Sequence, residues 1–275
     1  MANLTFMNNT IFDHGASNQL GQVLAMHGIR RPLLCTDKGL VNLGMVTDLV
    51  SHLGNDAALT VFDGTPENPT QMAVEEAVAA YQEAGCDGVV ALGGGSSMDL
   101  AKAVALAVTH EGDLLQYTAG LGGAGKIGTV APLIAIPTTS GTGSEVSSGA
   151  VIIMNNGEKL ILASRNLVPM TSICDPSLTL GLPPLLTAAT GMDAMTHCIE
   201  ALLSPQINPP AEAVACDGIE RGIREGNLVK AVKDGSDEDA RWHMMMAAAE
   251  GAMGFSKGLG SVHSMSHACG ADQAL

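Results

Sequence analysis

Asp193 and His197 stand four residues apart, and so do His263 and His267. On an α-helix that spacing puts both side chains of a pair on one face, so each segment has the form of half a metal site. One carboxylate with two or three imidazoles suits zinc or ferrous iron where no thiolate is offered. Read from spacing alone, all four side chains are candidate ligands. A lone histidine carries no such signal, and His14, His27, His52, His110 and His243 read as ordinary surface or core residues. The run Met244, Met245 and Met246 beside Trp242 reads as core packing.

A second group of residues suits phosphate. Gly93, Gly94, Gly95 and Ser96 follow the apolar run 88–92 and precede a helical stretch carrying Asp99 and Lys102. Two readings stay open. Residues without side chains let the backbone approach a diphosphate at a helix N-terminus, or they serve a tight strand-to-helix turn at positive φ. The usual G-x-G-x-x-G pattern is broken, because Met98 holds the third glycine position. The loop 137–145, PTTSGTGSE, follows another apolar run and offers hydroxyls and glycines either to a ribose or phosphate or to its own backbone. Asp37, two residues after the run 32–35, is placed to bind ribose hydroxyls or to cap the next turn.

The elements that must hold these residues differ along the chain. Strand-like runs at 32–35, 58–62, 88–92, 133–136 and 150–154 alternate with helical stretches at 19–27, 40–52, 70–84 and 99–108, the pattern of a layered α/β domain. After Asp175 the β-branched runs stop. From Leu185 onward Ala, Met, Leu and Glu dominate, which favours helix, and Pro183 and Pro184 open that part. The boundary falls near Thr179, giving domains 1–178 and 179–275. The glycine-rich segment 120–128 reads as a flexible surface connection, since no helix follows it.

At 275 residues the chain has room for roughly two domains of about 150 residues. Its net charge of −15 leaves no basic stripe for nucleic acid or an anionic membrane, so small molecules are the expected partners. Six scattered cysteines without a C-x-x-C pair point to reduced thiols and a cytoplasmic location. No apolar run approaches the ~18 residues of a membrane span, and the N-terminus lacks the form of a secretory leader.

Six ordered segments carry a resemblance: TDKGL at 36–40, PENPT at 66–70, GGGSSMDLAK at 93–102, PTTSGTGSEV at 137–146, GMDAMTHCIEA at 191–201 and GLGSVHSMSHA at 258–268. Together they resemble the signature segments of the iron-containing (group III) alcohol dehydrogenases, over essentially the whole chain. The resemblance implies an α/β N-terminal dinucleotide-binding domain followed by an all-α metal-binding domain, the dehydroquinate synthase-like arrangement, with the active site between them. It implies that Gly94, Gly95 and Ser96 bind the pyrophosphate. Asp37, Thr138, Thr139 and Thr142 would line the adenosine side, Asn68 and Asp99 the nicotinamide half, and Lys159 a place near the cofactor. An acid at Asp37 favours NAD over NADP.

By the same resemblance Asp193, His197 and His263 are metal ligands, and His267 stands beside the nicotinamide. The family's fourth ligand, another histidine, would fall just beyond Leu275. The chain is therefore expected to be a fragment ending inside its helical domain, or His267 takes the fourth position. The implied reaction is metal-assisted hydride transfer between a small alcohol or aldehyde and NAD, with Fe2+ or Zn2+ as Lewis acid. His267 is either a proton relay or a packing residue. A homodimer is expected from the family. The competing readings are a zinc polyol dehydrogenase, an inactive nucleotide-binding protein, and a metal hydrolase that binds no nucleotide.

Overall fold

Three of the apolar runs lie side by side as the central strands of one sheet. The computed structural model describes residues 2–4, 8–53 and 57–269. Its first part runs β1 (Ala2–Leu4), β2 (Asn9–Phe12), α1 (Leu20–Met26), β3 (Pro32–Cys35), α2 (Lys38–Asn42), α3 (Met45–Ser51), β4 (Thr60–Phe62), α4 (Gln71–Glu83), β5 (Gly88–Gly93) and α5 (Gly95–Ala107). It continues with β6 (Leu133–Pro137), β7 (Gly149–Ile153), β8 (Lys159–Ala163) and β9 (Thr171–Cys174). The helical part comprises α6 (Pro184–Leu203), α7 (Pro209–Ile219), α8 (Asn227–Lys233), α9 (Glu238–Gly254) and α10 (Ser261–Cys269). This is an α/β domain followed by a helical one.

The strand order is β1-β2-β9-β6-β5-β3-β4, parallel throughout except for β1 against β2. Side chains alternate between the two faces, as the period of a strand requires. Leu33, Val89, Ala91, Leu133 and Ala135 pack under α4 and α5, while Leu34, Val90, Leu92, Ile134 and Ile136 pack against α1 and α3. The chain passes from β3 outward to β4 and then back to β5 on the other side of β3. That reversal leaves a crevice beyond the carboxyl ends of β3 and β5, where ligands settle in open α/β sheets. Asp37 and the glycines of 93–95 both follow those ends.

Several elements depart from the sequence reading. The stretch 40–52 is two helices, because Gly44 adopts φ +80 and opens a new helix at Met45. The helix expected at 99–108 starts at Gly95, so Gly95 and Ser96 lie in its first turn. The run 150–154 is outside the sheet. It forms β7, which pairs antiparallel with β8 as a separate hairpin. Strands β2 and β9 escape the apolar pattern, since β9 reads TSIC and buries its hydroxyls in hydrogen bonds. Ser172 Oγ donates to Glu145 O at 2.5 Å, and Thr171 Oγ1 meets His27 Nε2 at 2.8 Å. Segment 120–128 is built of short 3-10 turns at Ala119–Leu121 and Gly123–Lys126, and Gly123 is buried against the backbone of Tyr117. Met244, Met245 and Met246 are buried, the latter two against Phe12 and Cys174.

The two parts meet at the loop after β6. A Cβ on Gly141 would stand 2.9 Å from Thr190 of α6, and one on Gly143 would stand 2.2 Å from Ala252 Cβ and 2.6 Å from Ala248 O on α9. Gly143 also has φ +59. Both helices therefore approach the loop backbone as closely as a missing side chain allows. Between these glycines, Thr142 turns toward α5, and its methyl lies 2.7 Å from where a Cβ on Gly95 would stand. Gly143→Ala combines left-handed strain with overpacking and should destabilise the protein by about 2–5 kcal/mol. Urea unfolding of parent and variant measures this, and equal midpoints would mean that the loop does not pack on α9 as described.

Candidate metal and dinucleotide site

Helix α6 starts with Pro184 at its first position, where the missing N–H costs nothing, and runs 20 residues. It presents Asp193 and His197 on one face toward α10. Asp193 Oδ1 lies 3.9 Å from His197 Nε2 and 3.5 Å from His263 Nε2. The two imidazoles stack with centroids 4.3 Å apart and planes 19° apart. One ligand atom from each of Asp193, His197 and His263 falls within a 4.8 Å cluster. His267 stands outside it, its ring centroid 6.1 Å from that of His263, so spacing alone overstates the set by one residue.

The donor chemistry of this cluster fits a divalent cation. His263 Nδ1 sits 2.6 Å from Glu200 Oε2, a contact only a ring N–H can make, so the neutral ring turns the lone pair of Nε2 toward Asp193. Among the described residues His197 Nδ1 is buried with no well-formed hydrogen bond, the Gly141 backbone being its polar neighbour. Burial, together with His263, holds His197 down at about 4 although Asp193 and Glu200 oppose it, which keeps this ring neutral and able to donate a lone pair. Asp193 on one side and Glu200 on the other raise His263 against burial, so a proton on Nε2 and a metal cation compete for the place beside Asp193. Oxygen and nitrogen donors of this kind suit ferrous iron and zinc alike.

Three cavities, linked one to the next by shared lining residues, lead from this cluster to the carboxyl ends of β3 and β5. The first, about 240 Å³, is bounded by the three cluster residues and His267, with Phe255 and Leu259 as its apolar wall. The second, about 190 Å³, shares Asp99, Thr142 and Val151 with it and adds Asn68, Gly95, Ser96 and Lys159. Ser96 continues into the third, about 340 Å³, with Gly94, Asp37 and Glu67. Thr138 and Thr139 are not among the side chains lining these cavities. Thr138 N–H donates to Gly93 O at 2.9 Å, and Thr139 flanks Gly94 at 3.4 Å from where a Cβ would stand.

The glycines divide between the two readings left open above. Gly93 has φ +149, so the turn itself requires it, whereas Gly94 at the N-cap is extended with φ −81. Gly95 owes its missing side chain to Thr142. The α5 start has no side-chain cap, so its first N–H groups are available to an anion. Asp37 caps α2 through Oδ1, which accepts Leu40 N–H at 3.0 Å, and it also lines the cavity. Asn68 Oδ1 accepts from Lys159 Nζ at 3.0 Å, tying the loop before α4 to β8.

Sequence reasoning missed two buried groups. Glu200 lies seven residues after Asp193 on the same helical stripe, a signal that a third polar position on an otherwise apolar face provides. Lys102 is fully buried, and its Nζ donates to Ser144 Oγ, Ser147 O, Ser147 Oγ and Gly149 O at 2.7–3.1 Å. Ser144 Oγ in turn donates to Asp99 Oδ1 at 2.7 Å, and Val151 N–H donates to Asp99 Oδ2 at 2.8 Å. Burial lowers Lys102 to about 8 and raises Asp99, each partly offset by the other.

The arrangement is that of a metal-dependent, dinucleotide-linked oxidoreductase. The iron-containing alcohol dehydrogenase model matches residues 8–176, and the C-terminal model of the same family matches residues 187–275. The chain belongs to the iron-containing alcohol dehydrogenase family. It is 52% identical to the 4-hydroxybutyrate dehydrogenase of Cupriavidus necator over 98% of its own length and 70% of that protein's. A crystal structure of 1,3-propanediol oxidoreductase superposes with a TM-score of 0.89 at 36% identity, covering 97% of this chain and 69% of that one. The sulfoacetaldehyde reductase of Bifidobacterium kashiwanohense, solved in complex with NAD+, gives 0.85 at 29% identity over 94% and 68%.

Glu145 supplies a pH test of the buried network. It is 3% exposed, and burial raises it to about 7 from 4.5 against its own backbone N–H and Lys102. The native state thus keeps a proton that the unfolded chain releases near 4.5. Its contribution to stability is full below pH 4.5 and is lost as pH rises through about 7. Unfolding free energies of parent and Glu145→Gln across that window should show a shallower decline in the variant. Identical slopes would remove Glu145 as the source.

Proposed function

We propose that this chain holds one divalent cation on Asp193, His197 and His263, binds NAD along the three cavities, and interconverts a short hydroxy acid or diol with its aldehyde. The observation that carries this reading is the convergence of three acceptor atoms at a cavity that adjoins, through shared lining residues, the cavities at the α5 N-terminus. Gly94, Gly95 and Ser96 offer the backbone to the pyrophosphate. Asp37 and Glu67 place two carboxylates at the far cavity, which suits ribose hydroxyls and repels a 2′-phosphate, and so favours NAD over NADP. Thr138 and Thr139 support the glycines from behind. Thr142, which the resemblance put on the adenosine side, lines the two cavities nearest the cluster and so borders the nicotinamide half with Asn68, Asp99 and Lys159.

When bound, the metal supplies Lewis acidity toward an alcohol or carbonyl oxygen and the nicotinamide carries the hydride. The chain's own residues orient and dry the site. Val151, Ile161, Phe255 and Leu259 give the cavity apolar walls, which strengthen the electrostatics between its polar groups. His267 lines the same cavity, half-buried, and burial together with His263 lowers it. An unprotonated ring nitrogen of His267 accepts the proton that the substrate hydroxyl gives up and passes it toward the cleft mouth.

The hydroxy-acid preference rests on the similarity to the Cupriavidus protein. The metal is ferrous iron by family, with zinc admitted by the same donors. A cytoplasmic location accords with six free cysteines, four of them buried, and among the described residues no helix is long and apolar enough to cross a membrane. The homodimer rests on the family alone.

Anaerobic titration of the metal-free chain should show one ferrous ion per chain, lost in His197→Ala, together with NAD-dependent oxidation of 4-hydroxybutyrate. His267→Ala should lower turnover by about 10²-fold with metal content intact. Unchanged turnover would end the relay role, and cofactor binding without metal or turnover would leave a nucleotide-binding protein without the reaction.

A further inference from the structure

Glu200 is 5% exposed and accepts four hydrogen bonds, all from the segment that carries the third residue of the metal cluster. Gly260 N–H donates to Oε2 at 2.9 Å, Val262 N–H to Oε1 at 2.7 Å and His263 N–H to Oε2 at 3.4 Å, while His263 Nδ1 lies 2.6 Å from Oε2. The backbone donors belong to the first turn of α10 and the residue before it, groups that a helix start leaves without intrahelical partners. A carboxylate on α6 thus caps α10 and fixes one of its imidazoles at the same time.

The surroundings are shaped for this contact. A Cβ on Gly260 would stand 2.8 Å from Glu200 Oε1 and 3.0 Å from its Cδ, so this glycine lets the carboxylate reach the helix start. With Nδ1 as donor, the neutral His263 ring keeps the lone pair of Nε2 toward Asp193, and the stack of His263 on His197 passes that orientation to the second ring. A carboxylate that holds the far nitrogen of a metal-binding histidine fixes its tautomer and increases its basicity.

We propose that Glu200 is a positioning residue, the carboxylate that locks His263 in its metal-binding tautomer and docks α10 onto α6. This rests on the metal reading above, and it is tested separately from it. In the metal-free protein, at a pH where the ring is neutral, long-range 1H–15N correlation of labelled histidine reports which nitrogen carries the proton. The parent should show His263 as Nδ1–H. Glu200→Gln, which keeps the volume and removes the charge, should shift it to Nε2–H toward Asp193. Gly260→Ala, which keeps the carboxylate but displaces it, should do the same.

Both variants should also raise the zinc dissociation constant by about 10–100-fold while the thermal unfolding transition of the metal-free protein remains cooperative. Glu200→Gln made in the His263→Ala background should add little to the loss that His263→Ala already causes, because Glu200 acts through His263. An Nδ1–H tautomer retained in both variants, or zinc affinity equal to the parent's, overturns the positioning role. A parent that binds no zinc overturns the metal assignment instead, and the tautomer then decides the role of Glu200 alone.

Discussion

Close backbone approach at the loop after β6 is the contact on which the rest of this structure depends. Gly141 and Gly143 bring the loop against α6 and α9, and Thr142 between them fills the space left open by Gly95. A single stretch of chain therefore spans from α9 and from α6, which carries both Asp193 and His197, to the N-terminus of α5 beside the far cavity. Larger side chains at these glycines would push the two halves apart, and a displacement of about 1 Å between reacting groups is enough to cost a large factor in rate. The interface is therefore built from missing side chains.

Two buried polar clamps refine what that contact sets. Lys102 gathers the turn at 144–147 and Gly149 onto α5, and through Ser144 it also orients Asp99 at the junction of two cavities. Glu200 does the corresponding work for the helical part. Each is a charge placed among backbone groups that would otherwise lie unpaired in a dry interior, where an unsatisfied group is costly. Their hydrogen bonds offset that cost, and the partners lie on separate segments of the chain. Losing either would loosen two segments at once.

The residues of the candidate metal cluster were legible because they obey a helical period. Asp193 with His197 and His263 with His267 stand out by spacing, although spacing cannot show that His267 leans away from the cluster, since that depends on how α10 lies on α6. Glu200 shares the stripe but resembles a surface carboxylate in sequence. Its partners lie 60 residues on, and only folding brings them to it. The parallel strands β3, β5 and β6 were legible as unbroken apolar runs buried on both faces. Strand β9 was not, because its serine and threonine find hydrogen-bond partners inside; the run of β7 reads like a sheet strand until its antiparallel pairing is seen, and its partner β8 was not read at all.

The order of the three cavities bears on how the reaction can be confined. The metal cluster lies at one end with the aromatic and aliphatic wall of Phe255, Leu259 and Ile161, and the carboxylates of Asp37 and Glu67 lie at the other. A dinucleotide laid along this line would present its adenosine to the acidic end and its nicotinamide to the metal. Only the middle cavity, bounded by Asp99, Thr142 and Lys159, separates the two. The cavity at the cluster takes apolar walls from both parts, Val151 and Ile161 of the β7–β8 hairpin and Phe255 and Leu259 beside α10, whereas the far cavity is walled by the segments that follow β3, β4 and β5.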